Sequence, residues 1–71
     1  MKYYMTETQN VNSWKSFIDE VINAKNLLNA KKCASRKQFF QGTVLNLFSD
    51  ENQENLIAQK VNGCWTNMEA N

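Results

Sequence analysis

The chain of 71 residues contains no histidine, so the side chain most often used as a general base at neutral pH is missing. Glycine occurs only at positions 42 and 63, which excludes a glycine-rich phosphate loop. Cys33 and Cys64 stand alone without a CxxC pattern, and this argues against a metal site. We expect both to be reduced core residues, with a disulfide between Cys33 and Cys64 as the alternative. These absences predict a protein that is no enzyme and needs no cofactor.

The carboxylates offer no better catalytic candidates. Asp19 and Glu20 are adjacent, and in a strand they would point to opposite faces of the sheet. Asp50, Glu51 and Glu54 could bind a cation weakly, but their spacing is not that of an EF-hand. The amino-terminal KYYMTETQN has no apolar core of a signal peptide, and no apolar run is long enough to cross a membrane. We therefore expect a cytoplasmic protein.

Basic residues are unevenly spread along the chain. The formal net charge is only +1 at pH 7, yet no acidic residue lies between Glu20 and Asp50. Five of the eight basic residues lie in that interval: Lys25, Lys31, Lys32, Arg36 and Lys37. Such a charge distribution can steer a protein towards an acidic or nucleic-acid surface, although a solvated helix face is the commoner explanation.

The central stretch predicts a capped helix, a turn and a strand. Asn26 is a good N-cap, and residues 27–38 contain neither glycine nor proline. At 100° per residue, one side of this helix is apolar and carries Leu27, Ala30, Cys33 and Ala34. The other side carries Leu28, Lys32, Ser35 and Arg36, with Lys31 at the border. Gly42 is the expected turn residue, and residues 43–48 follow as a strand rich in β-formers.

Three further strands are predicted over residues 2–7, 56–61 and 64–68, with loops over residues 9–13 and 49–55. Asn62 and Gly63 give the strongest hairpin signal, a two-residue type I′ turn, and Trp65 can then pack on the core side. Residues 14–25 are ambiguous. Their i,i+3,i+4 apolar stripe favours a helix over residues 13–24, whereas the family resemblance given below favours a strand over residues 20–24, which we adopt. A mixed solution, with a helical turn or loop near Trp14 and a strand after it, stays open.

The resulting order is strand, strand, helix, strand, strand, strand. A run of antiparallel strands with one inserted helix predicts an α+β domain over residues 1–71, with the helix covering one face of the sheet. The other face would be exposed to solvent or used for binding.

The basic side of the helix is the most informative surface. Lys31, Lys32, Arg36, Lys37 and the nearby Gln38 suit either a phosphate backbone or an acidic protein surface. Aromatic residues interleaved with basic ones would favour single-stranded nucleic acid. Phe39 and Phe40 follow the basic run, but at a helix end we expect them in the core.

Residues 27–44, LLNAKKCASRKQFFQGTV, resemble the middle of a small anti-CRISPR family that phages and mobile elements carry against type I-F CRISPR systems. The family's known member has a similar run of Leu, Ala-Lys, Ala-Ser, Gln, Phe and Gly-Thr-Val at the same spacing. The opening MKYYMTETQN and the closing hairpin, with a glycine turn before Trp65, are also similar. The resemblance is good over residues 26–45, fair over 1–10 and 56–68, and weak over 11–25 and 49–55.

The resemblance implies a curled antiparallel sheet of about five strands packed against one helix. It implies a phage-encoded inhibitor that binds the Cas7 backbone of the type I-F surveillance complex and blocks hybridisation of target DNA to the guide RNA. It also implies non-specific double-stranded DNA as a second partner. On this basis we expect a monomer that acts in the host bacterial cytoplasm.

The family's contact positions on the helix fall on four residues of this chain: Lys31, Lys32, Arg36 and Gln38. Lys31 and Gln38 match the family member, Lys32 stands where it has arginine, and Arg36 stands where it has lysine. The charge is preserved, but the planar guanidinium fork moves one turn along the helix.

Two other functions stay open from the sequence. The chain could be a small phage or prophage nucleic-acid-binding protein with no CRISPR role, or a phage protein that binds another host factor. Duplex binding that falls steeply with salt in the absence of a protein partner would favour the first of these.

Overall fold

Five strands and one helix make up the part of the chain that the computed structural model describes, residues 1–11 and 18–68. In chain order they are β1 (Lys2–Thr8), β2 (Ile18–Asn23), α1 (Leu27–Lys37), β3 (Val44–Phe48), β4 (Leu56–Val61) and β5 (Cys64–Asn67). All neighbouring strands pair antiparallel, in the spatial order β2-β1-β3-β4-β5. The predicted α+β class, one helix on an antiparallel sheet, is confirmed.

Strand β2 settles the ambiguity in the segment before the helix. The strand that we adopted over residues 20–24 is present but lies at Ile18–Asn23, and the alternative helix is wrong over these residues. The first part of that predicted helix, residues 13–17, lies outside the described part of the chain. Six residues of β2 pair with β1 in register, from Glu7 opposite Ile18 to Lys2 opposite Asn23. Ladder bonds and β-branched side chains outweigh the local helical pattern here.

Helix α1 begins as predicted. The Asn26 side chain accepts a hydrogen bond from the backbone amide of Asn29 at 2.9 Å, which satisfies one of the free donors of the first turn. The helix ends at Lys37, because the backbone of Gln38 turns to ψ 125°. Arg36 and Lys37 lie in the last turn, where the helix dipole favours positive charge.

The core lies between α1 and the sheet. Ala30 and Ala34 of the helix are fully buried, and their small side chains let the helix axis approach the strands. The sheet contributes Tyr3, Met5, Ile22, Leu45, Leu47 and Ala58 to this core, and Leu27, Cys33 and Trp65 pack against its edge. The apolar stripe predicted for the helix and the core-side position of Trp65 are therefore confirmed.

The two glycines occupy turns, as predicted. Asn62 and Gly63 have φ of 51° and 80°, the left-handed conformations that a type I′ hairpin requires at both positions. Gly42 has φ 78° in the turn that leads into β3. The hairpin sets the register of β4 and β5, in which Lys60 lies opposite Trp65.

The sheet face turned away from α1 carries a polar row. Thr6, Thr8, Asn46 and Gln59 are all buried there. The Asn46 amide donates to Thr6 Oγ1 at 3.2 Å and to Thr8 Oγ1 at 3.3 Å, and its Oδ1 accepts from Gln59 at 2.8 Å. This face was expected to be exposed to solvent or used for binding; exposure is wrong at its centre, and binding stays a prediction. Mutual hydrogen bonding offsets the desolvation of these four side chains.

The two cysteines lie in different environments. Cys33 packs against the core, but Cys64 is exposed, so the expectation of a core position is wrong for Cys64. Both thiols are free. Among the described residues, α1 is far too short and too polar to cross a membrane as a helix.

Candidate partner-binding surface

Three of the four predicted contact residues line one groove. Lys31, Lys32 and Arg36 project from α1 towards the space beside β5. This space, which we call the α1 groove, has a volume of about 650 Å³. Its lining residues are Leu28, Lys31, Lys32, Ser35, Arg36 and Trp65. The predicted cluster of positive charge is therefore a concave surface with an aromatic wall on its far side.

The three basic side chains are held differently. The Lys31 ammonium donates to Asn67 Oδ1 on β5, which ties the middle of the helix to the edge strand. Arg36 folds back along its own helix, with Nε 3.5 Å from the carbonyl oxygen of Lys32. Lys32 is exposed to solvent. One cation is thus fixed in place, one is folded onto the helix, and one extends into water.

Gln38, the fourth predicted residue, lies outside this groove. It is the C-cap of α1 and lines a smaller cleft of about 210 Å³ next to the hairpin turn. The other lining residues of this cleft are Gln41, Gly42, Thr43, Lys60, Asn62 and Gly63. The structure therefore divides the four predicted residues between two adjacent depressions.

Lys60 of β4 connects the two depressions. Its ammonium donates to Ser35 Oγ and to Gln38 Oε1, both at 3.2 Å. Ser35 also accepts the indole N–H of Trp65 at 3.2 Å. Because both partners of Lys60 are neutral, they orient the ammonium without neutralising its charge.

A chain of hydrogen bonds runs from Lys60 to a buried carboxylate. Gln38 Oε1 accepts a hydrogen bond from Lys60, and Gln38 Nε2 donates one to Thr43 Oγ1 at 3.2 Å. The Thr43 hydroxyl then donates to Glu7 Oε2 at 2.7 Å. Every bond points from the cation towards the anion, so each one polarises the next in the same sense. Gln38 is consequently held at both ends of its amide.

Glu7 is the anchor of this network. Its side chain is 0% exposed, and a buried carboxylate is expensive unless donors surround it. Glu7 Oε1 accepts the backbone amide of Phe39, and Oε2 accepts that of Phe40, both at 2.9 Å. With the Thr43 hydroxyl, three donors satisfy the carboxylate and fix the chain between α1 and β3.

The position of the two phenylalanines overturns one prediction. Phe39 and Phe40 were expected in the core, but they are 72% and 49% exposed. Their backbone amides turn inwards to Glu7, which leaves the side chains to point outwards. The two rings contact each other edge to face, with centroids 5.0 Å apart.

The basic residues of the α1 groove have no carboxylate partner in the described part of the chain. The one ion pair there joins Lys37 to Glu20 of β2 at 3.9 Å, where both side chains are about half exposed. Lys37 thus differs from Lys31, Lys32 and Arg36 in belonging to a compensated pair on another side of the helix. The positive charge of the groove is therefore not neutralised by a carboxylate of the described residues.

No group of three or more His, Cys, Asp or Glu side chains in residues 1–11 and 18–68 is arranged to hold a metal ion. Asp50, a candidate for weak cation binding, accepts the backbone amides of Glu54 and Asn55 instead. These bonds, first that of Asn55 and then that of Glu54, lower the pKa of the Asp50 carboxyl below its usual 3.8.

Sequence reasoning missed Glu7, Lys60 and Thr43. A signal for Glu7 was present, because Tyr3, Met5 and Glu7 share one face of a strand whose first two members are apolar. Lys60 likewise shares its face of β4 with the buried Ala58. A charged residue at a core-facing strand position needs a partner, and that requirement points to a buried network.

Comparison with known proteins gives a family. No protein-family model matches the chain, and no curated protein matches it. Among solved structures, the chain is similar to AcrIF9, with a TM-score of 0.84 and 32% sequence identity. The alignment covers 100% of this chain and 90% of the AcrIF9 chain. The shared fold and this full-length similarity show that the chain belongs to the AcrIF9 family, an anti-CRISPR family acting on type I-F CRISPR–Cas systems.

Proposed function

We propose that this chain inhibits a type I-F CRISPR surveillance complex by binding its Cas7 backbone, through a surface that contains Lys31, Lys32, Arg36 and Gln38. Bound there, it blocks hybridisation of target DNA to the guide RNA. The observation that carries the proposal is the α1 groove, where three of these residues converge beside a rigid aromatic wall. The mechanism is steric occlusion, so it needs no catalytic group, and we place it in the host bacterial cytoplasm with the chain as a monomer.

The charge of the surface supports a partner with exposed acidic groups. Lys31, Lys32 and Arg36 have no carboxylate partner among the described residues, so their charges are available to a bound surface. A cationic patch accelerates encounter with an acidic one and fixes the orientation of the two proteins.

Preorganisation supports the same assignment. Lys31 is held by Asn67, and Gln38 is held by Lys60 and Thr43. Binding therefore does not have to immobilise these two side chains, an ordering step that usually costs about 0.5–1.5 kcal/mol for each flexible side chain.

Duplex DNA is proposed as a second partner on electrostatic grounds. The phosphate backbone binds lysine and arginine without sequence preference, and the affinity falls steeply as salt rises. The uncompensated charges of Lys32 and Arg36 suit this role, because neither is tied to another element of the fold. DNA binding by the isolated chain would have to be measured separately from binding by the complex.

The experiment is co-elution of the chain with a purified type I-F surveillance complex, with and without target DNA. We expect a stable complex that fails to hybridise its target. Lys32→Ala and Arg36→Ala should each weaken binding about tenfold, which corresponds to a loss of roughly 1.4 kcal/mol of binding free energy. Thermal unfolding should stay unchanged, since both side chains are exposed.

Lys37→Ala is the matched control. It removes the same charge from the same helix, but at a residue that pairs with Glu20 on another side. It should bind like the parent chain. Failure of the parent chain to bind the complex would overturn the proposal. If Lys31→Ala, Lys32→Ala, Arg36→Ala and Gln38→Ala all bound normally, the assignment of the surface would fail on its own.

A further inference from the structure

We infer that the α1 groove is an anchor pocket for one apolar side chain on an acidic segment of the partner protein, with Leu28 and Trp65 as the residues that grip it. The inference deepens the proposed function and rests on it. It assigns part of the recognition to apolar contact, whereas the predicted contact residues are all charged or polar.

Leu28 forms an exposed apolar wall of the α1 groove. It lies on the solvent side of α1, is 62% exposed and lines the groove. A single exposed leucine is ordinary on a protein surface. This one faces a concave space whose other apolar wall is an aromatic ring, and such a combination is typical of binding pockets.

Trp65 forms a second apolar wall of the groove, and its ring is held in place. Its ring packs against the core on one side and lines the groove on the other. The indole N–H donates to Ser35 Oγ at 3.2 Å, so the orientation of the ring is fixed before any partner arrives. Tryptophan residues of this kind are enriched among the side chains that dominate binding energy.

The basic side chains that line the groove indicate that the bound segment carries acidic residues. Lys31, Lys32 and Arg36 surround the two apolar residues, and none has a carboxylate partner in the described part of the chain. An apolar side chain flanked by Asp or Glu satisfies both features at once. Single-stranded nucleic acid suits the groove less well, because it binds successive aromatic platforms and Trp65 is the one aromatic residue that lines this groove.

The test measures affinity for the purified type I-F surveillance complex with three variants. Leu28→Ala should bind at least tenfold more weakly, and Leu28→Met, which conserves volume, should bind like the parent chain. Val21→Ala is the control, since Val21 is a similarly exposed apolar residue on β2. Thermal unfolding of the two Leu28 variants should match the parent chain, because Leu28 is largely exposed.

Salt separates the apolar contribution from the charged one. The fold-loss for Leu28→Ala should be the same at low and high salt, whereas that for Lys32→Ala should shrink as salt rises. Normal binding by Leu28→Ala would overturn the inference and leave the proposed function intact, and absence of binding by the parent chain would overturn both. If Leu28→Ala lost affinity for a 30-base-pair duplex DNA but kept its affinity for the complex, the groove would be assigned to nucleic acid. That outcome would also overturn the inference.

Discussion

Glu7 joins the centre of the sheet to the segment that follows the helix. Its carboxylate accepts the amides of Phe39 and Phe40 and the hydroxyl of Thr43, at distances between 2.7 and 2.9 Å. The bonds to Phe39 and Phe40 hold the chain just after the end of α1 and leave the two aromatic rings facing outwards. The bond to Thr43 holds the hydroxyl that accepts the Gln38 amide. One residue on β1 therefore shapes a surface that belongs to other elements.

Glu7→Gln should destabilise the fold by about 1–3 kcal/mol, because the new amide group would present a donor to a donor inside a buried site. The measurement is the midpoint of urea unfolding. Thr43→Val, which removes one of three donors, should have a smaller effect of about 1 kcal/mol. Glu51→Gln is the control for lost charge, since Glu51 is exposed. Equal midpoints for Glu7→Gln and Glu51→Gln would contradict this account.

At this scale the sequence was informative where a residue's role is local. The exposure of Lys32 and Arg36 and the burial of Ala30 follow from helical periodicity alone. The direction of Phe39 and Phe40 does not, because it depends on Glu7, which lies 32 and 33 residues earlier in the chain. Both rings were predicted to be buried because they are hydrophobic, but the bonds from their backbone amides to Glu7 leave them facing outwards.

Among the elements, the hairpin of β4 and β5 owes its register to the turn at Asn62 and Gly63. Gly63→Ala should destabilise the fold by about 1–2 kcal/mol through backbone strain alone, since its φ is +80° and no atom lies within 4 Å of an added Cβ. The measurement is thermal or urea unfolding. Gly63→Asn should cost less, because asparagine tolerates this conformation. An alanine variant as stable as the parent chain would show that the turn changes type.

The loop between β3 and β4 should respond to acid through Asp50. Its pKa is lowered in the folded chain by the amides of Asn55 and Glu54, so its stabilising effect is fully present above about pH 3.8 and is lost as the pH falls through the lower folded value. The amide resonances of Glu54 and Asn55 should titrate with a midpoint below pH 3.8. In Asp50→Asn these two resonances should not follow that titration; a midpoint above 3.8 in the parent chain would contradict the prediction.

Elements with strong local signals were predicted from the residues themselves, whereas the strand at β2 was predicted only through the family resemblance. Asn26 marks the start of α1, and Asn62 with Gly63 marks the last hairpin, because each signal acts over a few residues. Strand β2 carries a helical apolar pattern and becomes a strand only because β1 is available to pair with it. Pairing of this kind depends on the whole sheet and is invisible to a periodicity test.

Across the whole molecule, a net charge of +1 conceals a separation of charge. The α1 groove keeps three cations without a carboxylate partner among the described residues, while the acidic loop between β3 and β4 holds Asp50, Glu51 and Glu54. The net charge therefore says little about which surface of the protein binds a partner. The arrangement of charge on the fold, more than its sum, governs the approach.

Association with the surveillance complex should consequently slow as salt rises, while dissociation changes less. The range of an exposed charge falls from about 10 Å at 0.1 M salt to about 3 Å at 1 M, which removes long-range steering. The measurement is the association rate over that range of sodium chloride. Lys32→Ala should flatten the dependence more than Lys37→Ala does, since Lys37 already pairs with Glu20. Association rates independent of salt would contradict this interpretation of the surface.

The contacts of Glu7 also set an order of events during folding. They span 32 to 36 positions in sequence, so the segment after α1 reaches its final shape only once β1 has joined β3 in the sheet. Long-range pairing of this kind is a slow step compared with helix formation, because a long loop must close first. An early helix would already display its lysines, but the Gln38 side of the surface would still be unformed. Under the proposed function, recognition would await the completed sheet, and a partly folded chain would be a poor inhibitor.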